Sequence, residues 1–379
     1  MSKIFIAGDY CPNARAENIV RSGDFSSIFN GFEKIISDAS LSIVNLECPV
    51  YDNLKNYTIN KIGPSLKTTS KSIDALQFAG FNLLTLANNH IMDYGEAGLQ
   101  QTINACISKG ISYVGAGSNL RTASAPFCKM IDGKKVTIIN IAENEFSSAS
   151  KGKAGSNPLN FIDNYSSIKS SVESSDYTVV IYHGGHEGFS YPSPRMKSLF
   201  KFYVDIGVNA VICHHSHRYS GFEKYKDGLI FYGLGNFYFD WPGIKDQNWF
   251  EGYAVTLDIN NNEFKLHPYI QCKNTPSIEA LTSEQDKLFQ KRIASINKVI
   301  ANDQLLEQQF DDLVNSRSRT YLSELQPYPG YYISGAYRKG ILPNLITKKQ
   351  YRKLLNIIRC EAHYDILRKK LEEEVLKND

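Results

Sequence analysis

The sequence predicts a layered α/β domain followed by a helical C-terminal region. Three observations carry that prediction. Residues 3–272 alternate short apolar runs with segments of helical period, the pattern of layered α/β chains. The apolar runs repeatedly end in a carboxylate, an asparagine or a histidine. After about Pro276 these runs stop, and charged helical segments replace them.

Taken in order, residues 3–7 form the first predicted strand, ending at Gly8-Asp9. Phe25, Ile28, Phe29, Phe32, Ile35 and Ile36 make a helical stripe over 25–37. A strand at 41–44 ends at Asn45-Leu46-Glu47, and a short helix covers 73–79. The strand at 82–86 ends at Asn88-Asn89-His90, followed by a helix over 95–108 and a strand at 111–114. Further strands cover 135–141 and 178–182, the second running into His183-Gly184-Gly185-His186-Glu187. A helix at 195–205 precedes the strand 208–212, which releases Cys213-His214-His215-Ser216-His217. The strand at 229–232 runs into Gly233-Leu234-Gly235-Asn236-Phe237, and 253–259 pairs with 263–269 as a closing hairpin. In the last part, Thr282 with Gln285 and Thr347 with Gln350 are capping boxes. The second opens an amphipathic segment with Tyr351, Leu354, Leu355, Ile358, Ala362 and Ile366 on one face. The predicted division is a domain over 1–272 and a helical accessory region over 273–379, suited to cover the first domain, self-associate or bind a synthase.

Bulk properties narrow the function classes. A hydrophobic fraction of 42% and a charged fraction of 21% are ordinary for a globular chain. The net charge of +3 gives no whole-protein field to attract nucleic acid or membrane. No stretch approaches the ~20 apolar residues of a membrane helix, and the N-terminal apolar run is too short for a signal peptide. No membrane anchor is therefore expected. Seven scattered cysteines without CxxC pairs fit reduced thiols in the cytoplasm.

The chemistry concentrates at strand ends. Asp9, Glu47, Asn89-His90, His183 and His215/His217 all follow apolar strands, and six of the eight histidines lie in these segments. Each alone has an ordinary explanation, such as a capping aspartate, a turn asparagine or a hydrogen-bonded core histidine. Together they suit a pair of divalent ions. Imidazoles, carboxylates and an asparagine carbonyl favour Mn, Fe or Zn over the all-oxygen shells of Ca or Mg. A carboxylate shared by two such ions holds them ~3.5–4 Å apart. There is no cysteine cage for structural zinc, no GxSxG elbow, and no Rossmann or P-loop fingerprint.

Gly8-Asp9, Asn45-Leu46-Glu47, Asn88-Asn89-His90 with Asp93 and Gly95, His183-x-Gly185-x-Glu187, His214-His215-x-His217 and Leu234-Gly235-Asn236-Phe237 resemble the ordered motifs of the CapA family. These capsule and poly-γ-glutamate synthesis proteins are related to calcineurin-like metallophosphoesterases. The likeness runs from about residue 3 to 260. It implies a metallophosphoesterase-like four-layer αββα sandwich, two facing sheets flanked by helices. It further implies that Asp9 and His217 serve one metal, and Asn89, His183 and His215 the other. Glu47 stands where the wider superfamily has its bridging carboxylate. His90 matches the histidine that protonates a leaving group, with Asp93 orienting it. His214 and Asn236 would support the site, and His186 and Glu187 either touch substrate or support a ligand.

The chain departs from the pattern at Cys11, where the superfamily often has a histidine; it is either a ligand or a buried structural thiol. Gly184 and Gly233 replace the family's usual Trp and Ser, which would open the pocket. The resemblance implies phosphoester hydrolysis tied to capsule, exopolysaccharide or poly-γ-glutamate synthesis. Two alternatives are amide hydrolysis of a glutamate-type polymer and a non-catalytic assembly factor of a synthase. The expected substrate is a phosphorylated small molecule or polymer, without nucleic acid.

Overall fold

The computed structural model describes residues 2–53 and 57–376. Its centre is two sheets laid face to face. The larger has the spatial order Ile278–Ala280, Glu263–Gln271, Glu251–Asp258, Lys3–Tyr10, Leu41–Leu46, Leu83–Thr85 and Ser112–Val114, with Asn236–Tyr238 also paired to Lys3–Tyr10. The second has the order Phe222–Tyr225, Gly228–Phe231, Ala210–His214, Tyr177–His183, Lys134–Ala142 and Phe127–Ile131.

The strands read as unbroken apolar runs because both of their faces are buried. Ile4 and Ile6 point inward with Ile43 and Leu83, against Ile138, Ile181 and Ile212 of the second sheet. Their neighbours Phe5 and Ala7 point outward beneath Ile28, Phe29, Leu76 and Leu99 of the covering helices. On the other side, Val180, Tyr182 and Val211 lie beneath Ile168, Phe200 and Tyr203. Helix, sheet, sheet and helix thus form four layers, the αββα sandwich.

The central strands of each sheet run parallel, so their carboxyl ends share one rim. Asp9 aligns with Asn45, Asn45 with Thr85, and His183 with His214. That register is the reason residues far apart in sequence meet. The approach of Asn236–Tyr238 to the first strand requires glycine at position 8. A Cβ on Gly8 would lie 1.9 Å from the Gly235 carbonyl oxygen, and Gly235 itself has φ +77°. Gly8→Ala is therefore expected to destabilise the fold by about 3 kcal/mol or more, measurable as a lowered midpoint in urea unfolding.

Several elements differ from the sequence reading. The helix expected over 25–37 is two helices, Phe25–Phe29 and Glu33–Ser37. Asn30 and Gly31 adopt φ 47° and 89°, which ends the first helix, yet Ile28, Phe29, Phe32 and Ile36 stay buried. The strands at 178–182 and 208–212 extend to His183 and His214, so both imidazoles are carried by strands rather than loops.

The chain divides into two compact units, Met1–Glu307 and Gln308–Asp379. The helix Ser283–Ala301, expected in an accessory region beginning at 273, belongs to the first unit. Its Phe289 and Ile293 enter the core between the sheets, and Ile300 enters the outer core of the second sheet. Both capping boxes form: Thr282 and Gln285 exchange side-chain to backbone bonds, as do Thr347 and Gln350. The single amphipathic segment expected after Thr347 is two helices, Lys348–Arg359 and Glu361–Leu376. Cys360 between them is extended, with φ −90° and ψ 114°, and the helical ladder cannot pass through it. Among the described residues, no helix is long and apolar enough to cross a membrane.

Candidate metal centre

Asp9, Glu47, Asn89, His183, His215 and His217 converge at the shared rim of the two sheets. Asp9 follows a β-bulge in its strand, which re-aims the carboxylate out of the regular pleat. Its Oδ1 accepts from Asn45 Nδ2 at 2.7 Å, and its Oδ2 accepts from the His215 backbone amide at 3.1 Å. His183 Nε2 lies 3.1 Å from Asn89 Oδ1 and 3.1 Å from His215 Nδ1. His215 and His217 adopt φ 89° and 54°, a strained backbone that turns two imidazoles back over the rim.

Glu47 is fully buried, and neither carboxylate oxygen has a hydrogen-bond partner. His183 Nε2 and His217 Nε2 each lie 3.7 Å from its Oε1, too far to bond directly. Burial, followed by the nearby Asp9 carboxylate, pushes the Glu47 carboxyl well above its usual range. An orphaned carboxylate of this kind is costly unless a cation satisfies it. The donor atoms form two overlapping buried sets, Glu47/His183/His215 and Asp9/Glu47/His217, each with its atoms within 4.8 Å of one another. Glu47 belongs to both. The residues present thus fit a metal site on the chemistry of the donor set.

Burial holds two of these imidazoles, His215 and His183, neutral. Burial and the neighbouring His217 depress His215 to about 3, and burial with the adjacent imidazoles holds His183 well below its usual value. His217 has its tautomer fixed from behind. The Asn236 amide donates Nδ2 to the His217 and Trp249 carbonyls, so its Oδ1 must accept the proton on His217 Nδ1, at 2.9 Å. That leaves the Nε2 lone pair facing Glu47. His214 is buried, with neither ring nitrogen hydrogen-bonded. Its Nδ1 lies 3.5 Å from Asp9 Oδ1, and burial keeps the ring neutral, so this contact is not a salt bridge.

Beside the metal set, His90 Nδ1 lies 2.7 Å from Asp93 Oδ2. Asp93 also accepts from the Leu66 amide at 2.7 Å and pairs with the buried Lys61 ammonium at 2.5 Å. Lys61 Nζ stands 3.1 Å from His90 Nδ1 as well. Glu187 is exposed and His186 half-buried, at the outer edge of the cluster. Cys11 is buried in the helix-facing core, where burial pushes its thiol well above the usual range. Gly184 does not open the pocket. A Cβ there would lie 2.6 Å from Glu143 Cγ, so the Glu143 side chain already fills that space. Gly233 is similarly enclosed by Ser216 and Arg218.

Four contributors have no assigned role in the sequence reading. Asn45 bridges Asp9 and His183, at 2.7 and 3.3 Å. Lys61 clamps Asp93. Glu143 accepts from the Gly185 amide and the Tyr182 hydroxyl and pairs with Arg195, bracing the segment after His183. Glu145 Oε1 lies 4.0 Å from His215 Nε2, with its carboxyl pushed up by burial and by Glu187. Of these, Asn45, Glu143 and Glu145 have a signal, since each follows a predicted strand, and Lys61 has none.

Comparison with known proteins agrees with this arrangement in its family. The chain is 32% identical over 250 residues to the capsule biosynthesis protein CapA of Bacillus anthracis, covering 64% of this chain and 61% of that protein. It is 32% identical over 251 residues to the PGA biosynthesis protein CapA of Bacillus subtilis (strain 168), covering 63% and 64%. The chain thus spans less than two thirds of the length of either relative. Among solved structures, a novel phosphatase from Mycoplasma pneumoniae aligns over 75% of this chain and 96% of that one, with 17% identity and a TM-score of 0.44. Residues 3–241, which carry every strand-end group described above, match the sequence model of the bacterial capsule synthesis protein PGA_cap, and the chain belongs to that family.

Proposed function

We propose that the protein is a metal-dependent hydrolase of phosphoesters, acting in the synthesis of a capsule or a poly-γ-glutamate-like polymer. The single observation that carries this reading is the buried, unpartnered Glu47 carboxylate, common to both donor sets. A scaffold gains nothing by keeping an orphaned carboxylate among neutral imidazoles at the base of its rim. In this reading Asp9, Glu47 and His217 hold one divalent ion, and Glu47, Asn89, His183 and His215 hold the other. Such ions would supply Lewis acidity toward a phosphoryl oxygen and activate a water near neutral pH.

The remaining roles fall to the chain's own groups. Asn45 fixes the Asp9 carboxylate, and Asn236 fixes the His217 ring, so neither ligand loses much orientational freedom when an ion arrives. His90, held through Nδ1 by Asp93, keeps Nε2 available to give a proton to the departing alkoxide. Lys61 neutralises Asp93 and holds that carboxylate against the ring. Seven unpaired cysteines, one of them exposed, support a reducing compartment.

The test is metal analysis of the purified chain together with hydrolysis of a generic phosphodiester. About two divalent ions per chain are expected. His215→Ala should remove at least one of them and lower activity by at least ~100-fold. A chain that is metal-free and inactive even after reconstitution with Mn, Fe and Zn would overturn the reading.

A further inference from the structure

We propose that residues 330–359 of the C-terminal unit form a peripheral docking surface for an anionic phospholipid bilayer. The charge is segregated in this unit. Between Leu325 and Cys360 there are seven basic residues, Arg338, Lys339, Lys348, Lys349, Arg352, Lys353 and Arg359, and no acidic one. The whole chain carries only +3, so the remainder sums to −4, that is, 3 minus 7. The net charge conceals this segment.

The geometry adds a second, apolar component. In the helix Lys348–Arg359, Tyr351, Leu354, Leu355 and Ile358 fall at i, i+3, i+4 and i+7, which makes one continuous stripe. The basic residues occupy the adjoining face, and no residue of this helix is buried. Ile358 is 67% exposed. The helix Gly330–Arg338 and the turn after it continue the same character. Tyr331 is 77% exposed, Tyr332 88% and Ile341 72%. Arg338 lies over the Tyr331 ring at 5.5 Å, coupling a cation to an aromatic face. A helix with a basic face, a bulky apolar stripe and flanking tyrosines lies in a bilayer interface, where lysines meet headgroups and the stripe enters the acyl boundary.

The apolar stripe distinguishes this occupant from two others. A soluble polyanion would use the basic residues but has no need of exposed isoleucine and leucine. A second copy of this chain joined face to face would set seven positive charges against seven more. An anionic bilayer satisfies both components at once.

Co-sedimentation of the full chain with phosphatidylcholine vesicles, with and without phosphatidylglycerol, tests the proposal. Binding is expected only with the anionic lipid, and it should weaken with added salt. Lys349→Glu with Lys353→Glu should weaken it roughly 600-fold, since the two reversals change four units of charge and each contributes about fivefold near the surface. Leu355→Ser with Ile358→Ser should weaken it roughly 10-fold. All four side chains are exposed, so both variants should keep the parent circular dichroism spectrum. Equal binding to pure phosphatidylcholine, or vesicle binding indifferent to either pair, overturns the proposal. So does binding to heparin in place of vesicles, or a dimer that Leu355→Ser with Ile358→Ser dissociates without any vesicle binding.

Discussion

Replacing Glu47 with glutamine is expected to abolish activity and, at the same time, to stabilise the metal-free chain. The two effects have one cause. Glu47 sits fully buried with both oxygens unpartnered, so without a cation its carboxyl raises the free energy of the folded state. Glutamine has nearly the same volume and needs no proton or counter-ion. The metal-free variant should therefore unfold at a higher denaturant concentration, by about 1–3 kcal/mol, because the carboxyl must either keep a buried charge or take up a proton at neutral pH and the amide does neither. Metal affinity moves the other way. Because Glu47 belongs to both donor sets, its loss should disturb both ions and lower turnover by roughly 1,000-fold or more. Chemical unfolding with and without chelator, beside metal analysis, separates the two. A variant less stable than the parent without metal, yet still fully metallated, would show that Glu47 is an ordinary structural acid.

Much of this arrangement is legible in the sequence because its cause is local. A strand buried on both faces is an unbroken apolar run, and Ile4, Phe5, Ile6 and Ala7 show it directly. A residue that ends such a run must lie near the rim, so Asp9, Glu47 and His183 stand out from their position in the chain alone. Partners supplied by tertiary packing are not legible in this way. The Asn45 contact to His183 joins residues 138 apart, and nothing around Lys61 marks it as the cation that pairs with Asp93. Glu143 follows a predicted strand, but its importance lies in filling the space beside Gly184, which only packing reveals. The split of the first predicted helix has a similar lesson. The apolar stripe keeps its spacing across Asn30 and Gly31, so periodicity alone cannot report the left-handed break between two short helices. The boundary of the C-terminal region falls later than composition suggests, for the opposite reason. Ser283–Ala301 looks charged and amphipathic, yet its few apolar residues reach the core between the sheets.

The second large effect concerns His90, and its signature is leaving-group dependence. His90 is held by Asp93 through Nδ1, and Asp93 is held in turn by Lys61 and the Leu66 amide. None of these groups belongs to either metal-donor set, so His90→Asn should leave the metal content unchanged. If the imidazole protonates the departing oxygen, its loss should cost between ~100- and ~10,000-fold on an alkyl phosphodiester. A p-nitrophenyl ester should suffer far less, because nitrophenolate leaves readily without a proton. Steady-state rates on the two esters give the comparison directly, and the ratio of the two losses is insensitive to how much enzyme is active. A structural role for His90 predicts a different result, in which both esters lose the same factor. Lys61→Met extends the argument. Removing the ammonium leaves Asp93 with the ring and the Leu66 amide alone, so the carboxylate that orients His90 is less firmly held. The alkyl-ester rate should then fall by roughly 10-fold, while the nitrophenyl rate stays near that of the parent. Equal losses on both esters in His90→Asn, and again in Lys61→Met, would remove His90 from the chemistry and leave it as a prop for the loop that carries Asn89.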